Sequence, residues 1–166
     1  MNKYITVLIL THKSRELLLN YIKNIYKKFK IIVIDNSNDV DLEKYLKKNY
    51  PEITIKLIEN NGYGNAINFG SKLVETKYFL ASNPDLQGID EKSLFKFLSV
   101  ADSLKDKFST IGPRYKNVNP KSLVQSDESK EISEIKVISG ACMFFNKKNF
   151  DATGGFDENF FLYLEE

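Results

Sequence analysis

Polar residues recur directly after short apolar runs in this sequence, and there they could do chemistry. Asp35-Asn36-Ser37 follows the run 31–34, and Asn83-Pro84-Asp85 follows the run 78–81. A carboxylate such as Asp35 can accept from a base N–H or a ribose hydroxyl. Taken alone, Asp35-Asn36-Ser37 is more economically a turn or a helix cap. Asn83-Pro84-Asp85 has the form of a type I turn with proline at its first central position. Such a turn also fixes Asp85 toward a cleft. One carboxylate there could share Mg²⁺ or Mn²⁺ with phosphate and water oxygens. Asn61-Gly62-Tyr63-Gly64-Asn65 opens a helix; its glycines let a ligand come close, and helix N–H groups attract anionic or polar atoms. It lacks the Gly-Lys-Ser/Thr of a P-loop, and its glycine spacing is wrong for the dinucleotide fingerprint. By itself it reads as a plain loop. Glu165-Glu166, the last pair, taken alone is solvated.

The rest of the composition excludes several chemistries. Cys142 is the one cysteine and His12 the one histidine, so neither an internal disulfide nor a Cys/His zinc cluster can form. Cys142 sits in the apolar run 141–145 and reads as a buried, inert thiol. Net charge is +2, from 24 basic and 22 acidic side chains, which gives no general field for nucleic acid. The paired lysines 27–28, 47–48 and 147–148 read as solvated faces, with room for weak contact at an anionic lipid surface.

These residues need elements to hold them. The 166 residues suit one domain, and 42% apolar content with 12 Phe and 9 Tyr can build a core. Residues 5–10 and 31–34 read as buried strands, and 54–58 and 78–81 as two more strands. Leu18, Tyr21, Ile22, Ile25, Tyr26 and Phe29 recur at spacings of three and four, which predicts a helix with one core face. Short helices are expected around 42–46 and 66–74. Asp90 is positioned to cap another, with Leu94, Phe95, Leu98, Ala101 and Leu104 as its apolar face. Strand and helix alternate, which implies βαβ units and a mainly parallel sheet. Ligands of such sheets bind beyond the carboxyl ends of the strands, where Asp35, Asn61, Gly62, Asn83 and Asp85 all fall. Residues 117–134 have no helical period and read as an irregular segment. Residues 136–145 are a further strand candidate, and Gly154-Gly155 marks a turn. The run 7–10 is too short for a signal peptide or a membrane span, which favours a cytoplasmic chain.

In order, the segments Val7-Leu8-Ile9-Leu10-Thr11-His12-Lys13, Val33-Ile34-Asp35-Asn36-Ser37, the stretch from Asn61 to Gly70, and Leu80-Ala81-Ser82-Asn83-Pro84-Asp85 resemble those of family 2 glycosyltransferases. Ser139-Gly140-Ala141-Cys142-Met143 and the stretch from Gly154 to Glu166 extend the likeness, which is greatest to the bacterial rhamnosyltransferase-like branch. The resemblance implies an α/β, Rossmann-like GT-A fold that binds a nucleotide-sugar. Thr11, Asp35 and Asn61 would line the base and ribose pocket, with Gly62, Asn68 and Asn83 also on the nucleotide-sugar. Asp85 would be the metal ligand, in the place of the family's Asp-x-Asp motif, where Asn83 departs from a carboxylate. Glu166 falls where the family has the Asp of a Glu-Asp pair, so Glu166 or Glu165 would be the catalytic base. The family continues into acceptor-binding helices that this sequence lacks.

The expected reaction is inverting transfer from a UDP- or dTDP-sugar to a saccharide or lipid-linked saccharide hydroxyl, at a peripheral cytoplasmic-membrane location. Two alternatives stay open. One is a nucleotide-sugar-binding remnant without turnover. The other is a nucleotidyltransferase, which should carry glycines after its first strand, where Thr11-His12-Lys13-Ser14 has none.

Overall fold

The computed structural model describes residues 2–114 and 129–161. The elements are β1 (Asn2–Thr11), α1 (Arg15–Lys23), β2 (Phe29–Asp35), α2 (Val40–Asn49), β3 (Thr54–Leu57), α3 (Tyr63–Ser71), β4 (Tyr78–Ser82), α4 (Glu91–Ser103), β5 (Thr110–Ile111), β6 (Cys142–Asn146) and α5 (Lys147–Thr153). The six strands form one sheet in the order β3-β2-β1-β4-β6-β5. β1 runs parallel to β2 and β4, and β2 parallel to β3. β6 is antiparallel to both β4 and β5. The sheet is thus mostly parallel and flanked by helices, as the alternation requires.

β1 is central, and its residues 5–11 are buried. A strand covered on both faces can be apolar throughout, which is why its sequence does not alternate. The two faces still sort by parity. Ile5, Val7 and Ile9 join α1, α2 and α4 through Leu18, Ile22, Leu42, Leu46 and Leu94. Leu8 and Leu10 join α3 and α5 through Ala66, Ile67 and Phe150. The α3 layer lies so close to the sheet that a Cβ at Gly70 would stand 2.5 Å from Leu8 Cδ1.

The structure corrects several expected boundaries. The first helix stops at Lys23, and Phe29 opens β2 instead of closing α1. Between them Lys27 has φ +64, which breaks the helix and reverses the chain, while Ile25 stays in the core. Asp90 does cap α4, with Ser93 N–H donating to its carboxylate at 2.8 Å in a reciprocal capping box. The strand expected over 136–145 is the shorter β6, displaced toward its C-terminal end. α5 was hidden by its length of 7 residues; Asn146 caps it by accepting from Asn149 N–H at 3.2 Å. Most of the segment 117–134 lies outside the described residues, and 129–134 holds no helix or strand.

Candidate functional site at the carboxyl edge of the sheet

The four parallel strands end on one edge, and their registers bring the ends together. Thr11 lies opposite Asp35, and Ile9 lies opposite Ser82. The ladder runs one step past the strands: Asn36 N–H donates to Thr11 O at 3.2 Å, and Asn83 N–H to Ala141 O at 3.2 Å. Thr11, Asp35, Asn61, Gly62, Asn83 and Asp85 therefore share one edge.

Asp35 is fully buried, and its carboxylate is engaged within the chain. One oxygen accepts from Ser37 N–H at 3.0 Å and Ser37 Oγ–H at 2.6 Å. The other accepts from Asp39 N–H at 2.7 Å. Asp35 holds the turn that follows β2, and Asp39 in turn caps α2 at Leu42 N–H, 2.8 Å away.

The neighbouring residue carries a connection that sequence reasoning missed. The Asn36 carboxamide donates through Nδ2 to Asn60 Oδ1 at 2.9 Å, and its Oδ1 lies 2.9 Å from His12 Nδ1. An amide oxygen only accepts, so the imidazole presents Nδ1–H there. Asn60 Oδ1 also accepts from Gly62 N–H at 3.3 Å. A polar chain His12–Asn36–Asn60–Gly62 thus crosses the ends of β1, β2 and β3 into α3. Beside it, Thr11 is 1% exposed, and its Oγ1 is buried without a hydrogen-bond partner among the described residues. A buried hydroxyl left without a partner costs free energy, which a ligand group can recover.

On the other side of β1, Ser82 is buried and its Oγ lies 2.9 Å from the Tyr21 hydroxyl, whose pKa burial pushes up. Beyond it Leu86 N–H donates to Asn83 O at 3.4 Å, closing the expected turn around Pro84 and Asp85. Asp85 is exposed, and no hydrogen bond or ion pair holds it among the described residues. No group of three His, Cys, Asp or Glu side chains converges there or elsewhere among the described residues. A single free carboxylate does not suit a resident metal ion. It does suit a Mg²⁺ or Mn²⁺ ion that arrives with a diphosphate and takes most of its oxygens from it.

The start of α3 differs from the expectation of an open helix end. Tyr63 N–H donates to Phe161 O at 3.0 Å, so the C-terminal stretch already covers that point. Gly62 has φ +99, and a Cβ there would stand 2.2 Å from Phe161 O, so only glycine fits. The Tyr63 hydroxyl donates to Gly140 O, which ties the turn before β6 to the same place. Asn68, expected on the nucleotide-sugar, is instead 6% exposed and turned to the protein's own chain. It accepts from Phe156 N–H at 2.9 Å, donates to Phe156 O at 2.9 Å, and donates to Glu158 Oε1 at 3.0 Å. Asn61 is exposed beside the site. Glu165 and Glu166 lie outside the described residues. Cys142 is buried in β6, and burial pushes its thiol up to about 12, as an inert core thiol should be.

Comparison with known proteins bears on the family and the fold. The low-salt glycan biosynthesis hexosyltransferase Agl10 of Haloferax volcanii is 24% identical over 187 aligned positions, spanning 98% of this chain and 59% of that protein. The structure of S. aureus TarS 1-349 in complex with UDP superposes with a TM-score of 0.74 at 15% identity, covering 98% of this chain and 52% of the other. A Pyrobaculum calidifontis mannosyltransferase, in complex with GDP-Man and Mn²⁺, superposes at 0.66 with 16% identity, covering 96% and 49%. This chain therefore spans about half the length of these proteins. At these identities the superpositions establish the fold, which is that of GT-A glycosyltransferases. The Glycosyl transferase family 2 description matches residues 6–157, from β1 into the start of the stretch docked on α3, and the chain belongs to that family.

Proposed function

We propose that the carboxyl edge binds a nucleotide-activated sugar, and that the domain serves an inverting transfer of that sugar to a hydroxyl. The observation that carries this reading is the convergence on one edge of a partnerless buried hydroxyl, a polar chain and a free carboxylate: Thr11, His12–Asn36–Asn60 and Asp85. Thr11 and Asn36 would meet the base and ribose, with Asn61 at the rim. Asp35 would act by holding the turn that presents Asn36. Asn83 and Asp85 would face the diphosphate and sugar.

The acceptor oxygen attacks the anomeric carbon from the face opposite the nucleotide, the bond from that carbon to the phosphate oxygen breaks, and the centre inverts. A carboxylate takes the acceptor's proton as the new bond forms; Glu166 or Glu165 is proposed for this step. A divalent ion held by Asp85 would supply charge neutralisation at the departing diphosphate. A UDP- or dTDP-sugar is the proposed donor, and a GDP-sugar belongs in the same test because the P. calidifontis neighbour holds GDP-Man. A saccharide or lipid-linked saccharide is the proposed acceptor, in a transfer of the rhamnosyltransferase-like kind. Among the described residues no helix is long and apolar enough to cross a membrane. Peripheral contact at the cytoplasmic membrane face is the proposed setting.

The test is a melting panel with UDP, dTDP and GDP and their sugars, each with Mn²⁺. A ligand at 100 times its Kd should add about 2.7 kcal/mol, or roughly 5–10 °C for a domain of this size. No shift with any member of the panel refutes the reading.

A further inference from the structure

The stretch 155–161 is bound to α3 at two points. At the first, Asn68 pairs with both the N–H and the C=O of Phe156, as a neighbouring strand would. Its remaining amide hydrogen goes to Glu158. An aspartate at this position would lack the donors, and a leucine would lack both functions. The other side of the contact is equally restrictive: a Cβ on Gly155, which has φ +81, would stand 2.4 Å from Asn68 Oδ1. The Phe156 ring then packs against Tyr63, Phe145 and Phe150. Asp157 turns the chain back by accepting from Asn159 N–H at 2.9 Å. At the second point, Phe161 O accepts from Tyr63 N–H against Gly62. The anchors on α3 are five residues apart, about 7.5 Å along the helix.

The second anchor adjoins the polar chain of the carboxyl edge. Gly62 N–H is held by Asn60, Asn60 by Asn36, and Asn36 faces His12. Contacts therefore run without a gap from the latched stretch to the residues facing the candidate ligand. We propose that Asn68 is a positioning residue: it latches 155–161 onto α3 and through that stretch sets the geometry of the donor site without touching the donor. This rests on the proposed nucleotide-sugar reading.

Two variants of the whole chain attack the latch from opposite sides. N68D replaces the donating amide by an acceptor facing Phe156 O and Glu158. G155A drives a methyl into Asn68 Oδ1. The measurements are amide exchange at Phe156 and Tyr63, calorimetry with UDP and GDP in Mn²⁺, and release of nucleotide diphosphate from the matching nucleotide-sugars. Both variants should lose protection at both amides by about tenfold or more. Both should weaken nucleotide binding to a similar extent, by less than about tenfold, while release slows by about tenfold or more, as expected when misplacement acts mainly on the reacting geometry. If N68D alone weakens nucleotide binding tenfold while G155A does not, Asn68 contacts the ligand and the proposal is overturned. Retained protection in a folded variant overturns it, as does lost protection with unchanged release. If one variant fails to melt cooperatively, the other decides. A wild-type chain that binds no nucleotide overturns the functional reading and the positioning role with it, while the exchange data still report on the latch.

Discussion

Asp35→Ala should act first on stability. The carboxylate is fully buried and accepts three hydrogen bonds, two from Ser37 and one from Asp39 N–H. Hydrogen bonds to a charged acceptor are each worth about 1.5–3 kcal/mol. Ser37 and Asp39 are only partly buried, so water can reach some of the freed donors. A net loss of about 2–4 kcal/mol is therefore expected instead of the full sum. In a chain of this size that lowers Tm by roughly 5–15 °C. The loss should spread to α2, because Asp39 both donates to Asp35 and caps the helix at Leu42. Asp35→Asn keeps the shape and an acceptor for Ser37 but sets an NH₂ against Asp39 N–H, so its Tm should fall in between. The assay is a thermal melt followed by calorimetry with nucleotide well below the variant's Tm, where affinity should fall only through the displaced Asn36, by less than about tenfold. An Asp35→Ala protein that melts with the wild type yet binds nucleotide tenfold more weakly would refute this reasoning and make Asp35 a direct ligand.

Asp85 has no described partner, so D85N should leave Tm unchanged within about 1 °C; calorimetry with Mn²⁺ and then EDTA should show a metal-dependent gain in nucleotide-diphosphate affinity in the wild type that D85N lacks. Equal gains in both would remove the metal from Asp85. The Cys142 thiol, pushed up to about 12 by burial, should resist a thiol reagent at pH 8, where its thiolate fraction is on the order of 10⁻⁴, and react only on unfolding. Fast labelling of the native chain would contradict that. Hydrogen bonds from Lys77 and then Tyr78 hold the Asp106 carboxyl below its ordinary value. Its contribution is therefore present above about pH 4 and lost as pH falls through the lower folded value, so the wild-type advantage over D106N in urea melts should shrink toward pH 2. An advantage that grows on acidification would reverse the sign.

The elements most legible in the sequence were those whose burial pattern is local. β1, β2 and β4 are short apolar runs, and α1 has its core residues at the expected spacings, whereas β3 buries only Ile55 and α4 buries Leu94 and Ala101 but leaves Phe95, expected on its apolar face, exposed. Where the reading failed, the deciding contact was distant in sequence. Phe29 fits the period of α1, yet its side chain goes to the core from β2, because Lys27 turns the chain first. α5 has too few residues to display a period, and its cap and closing glycine are single residues.

The site divides along the same line. Strand-end position alone put Asp35, Asn61, Gly62, Asn83 and Asp85 on one edge, since parallel strands all end the same way. What each side chain does there depends on strand order, which the sequence does not display. Only because β2 lies between β1 and β3 can Asn36 bridge His12 to Asn60, residues 24 apart from it on either side. Asn68 marks the limit of reasoning by motif position. The resemblance over Asn61–Gly70 implied a ligand contact for it, whereas its amide is bonded to Phe156, 88 residues away. α3 thus has two working ends: its N-terminus closes the polar chain at Gly62, and its middle holds the returning chain at Asn68. A helix of 9 residues with a glycine at its cap and another against Leu8 is a poor helix former by propensity. Tertiary contacts must therefore stabilise it, and those to residues 155–161 at Tyr63 and Asn68 are among them.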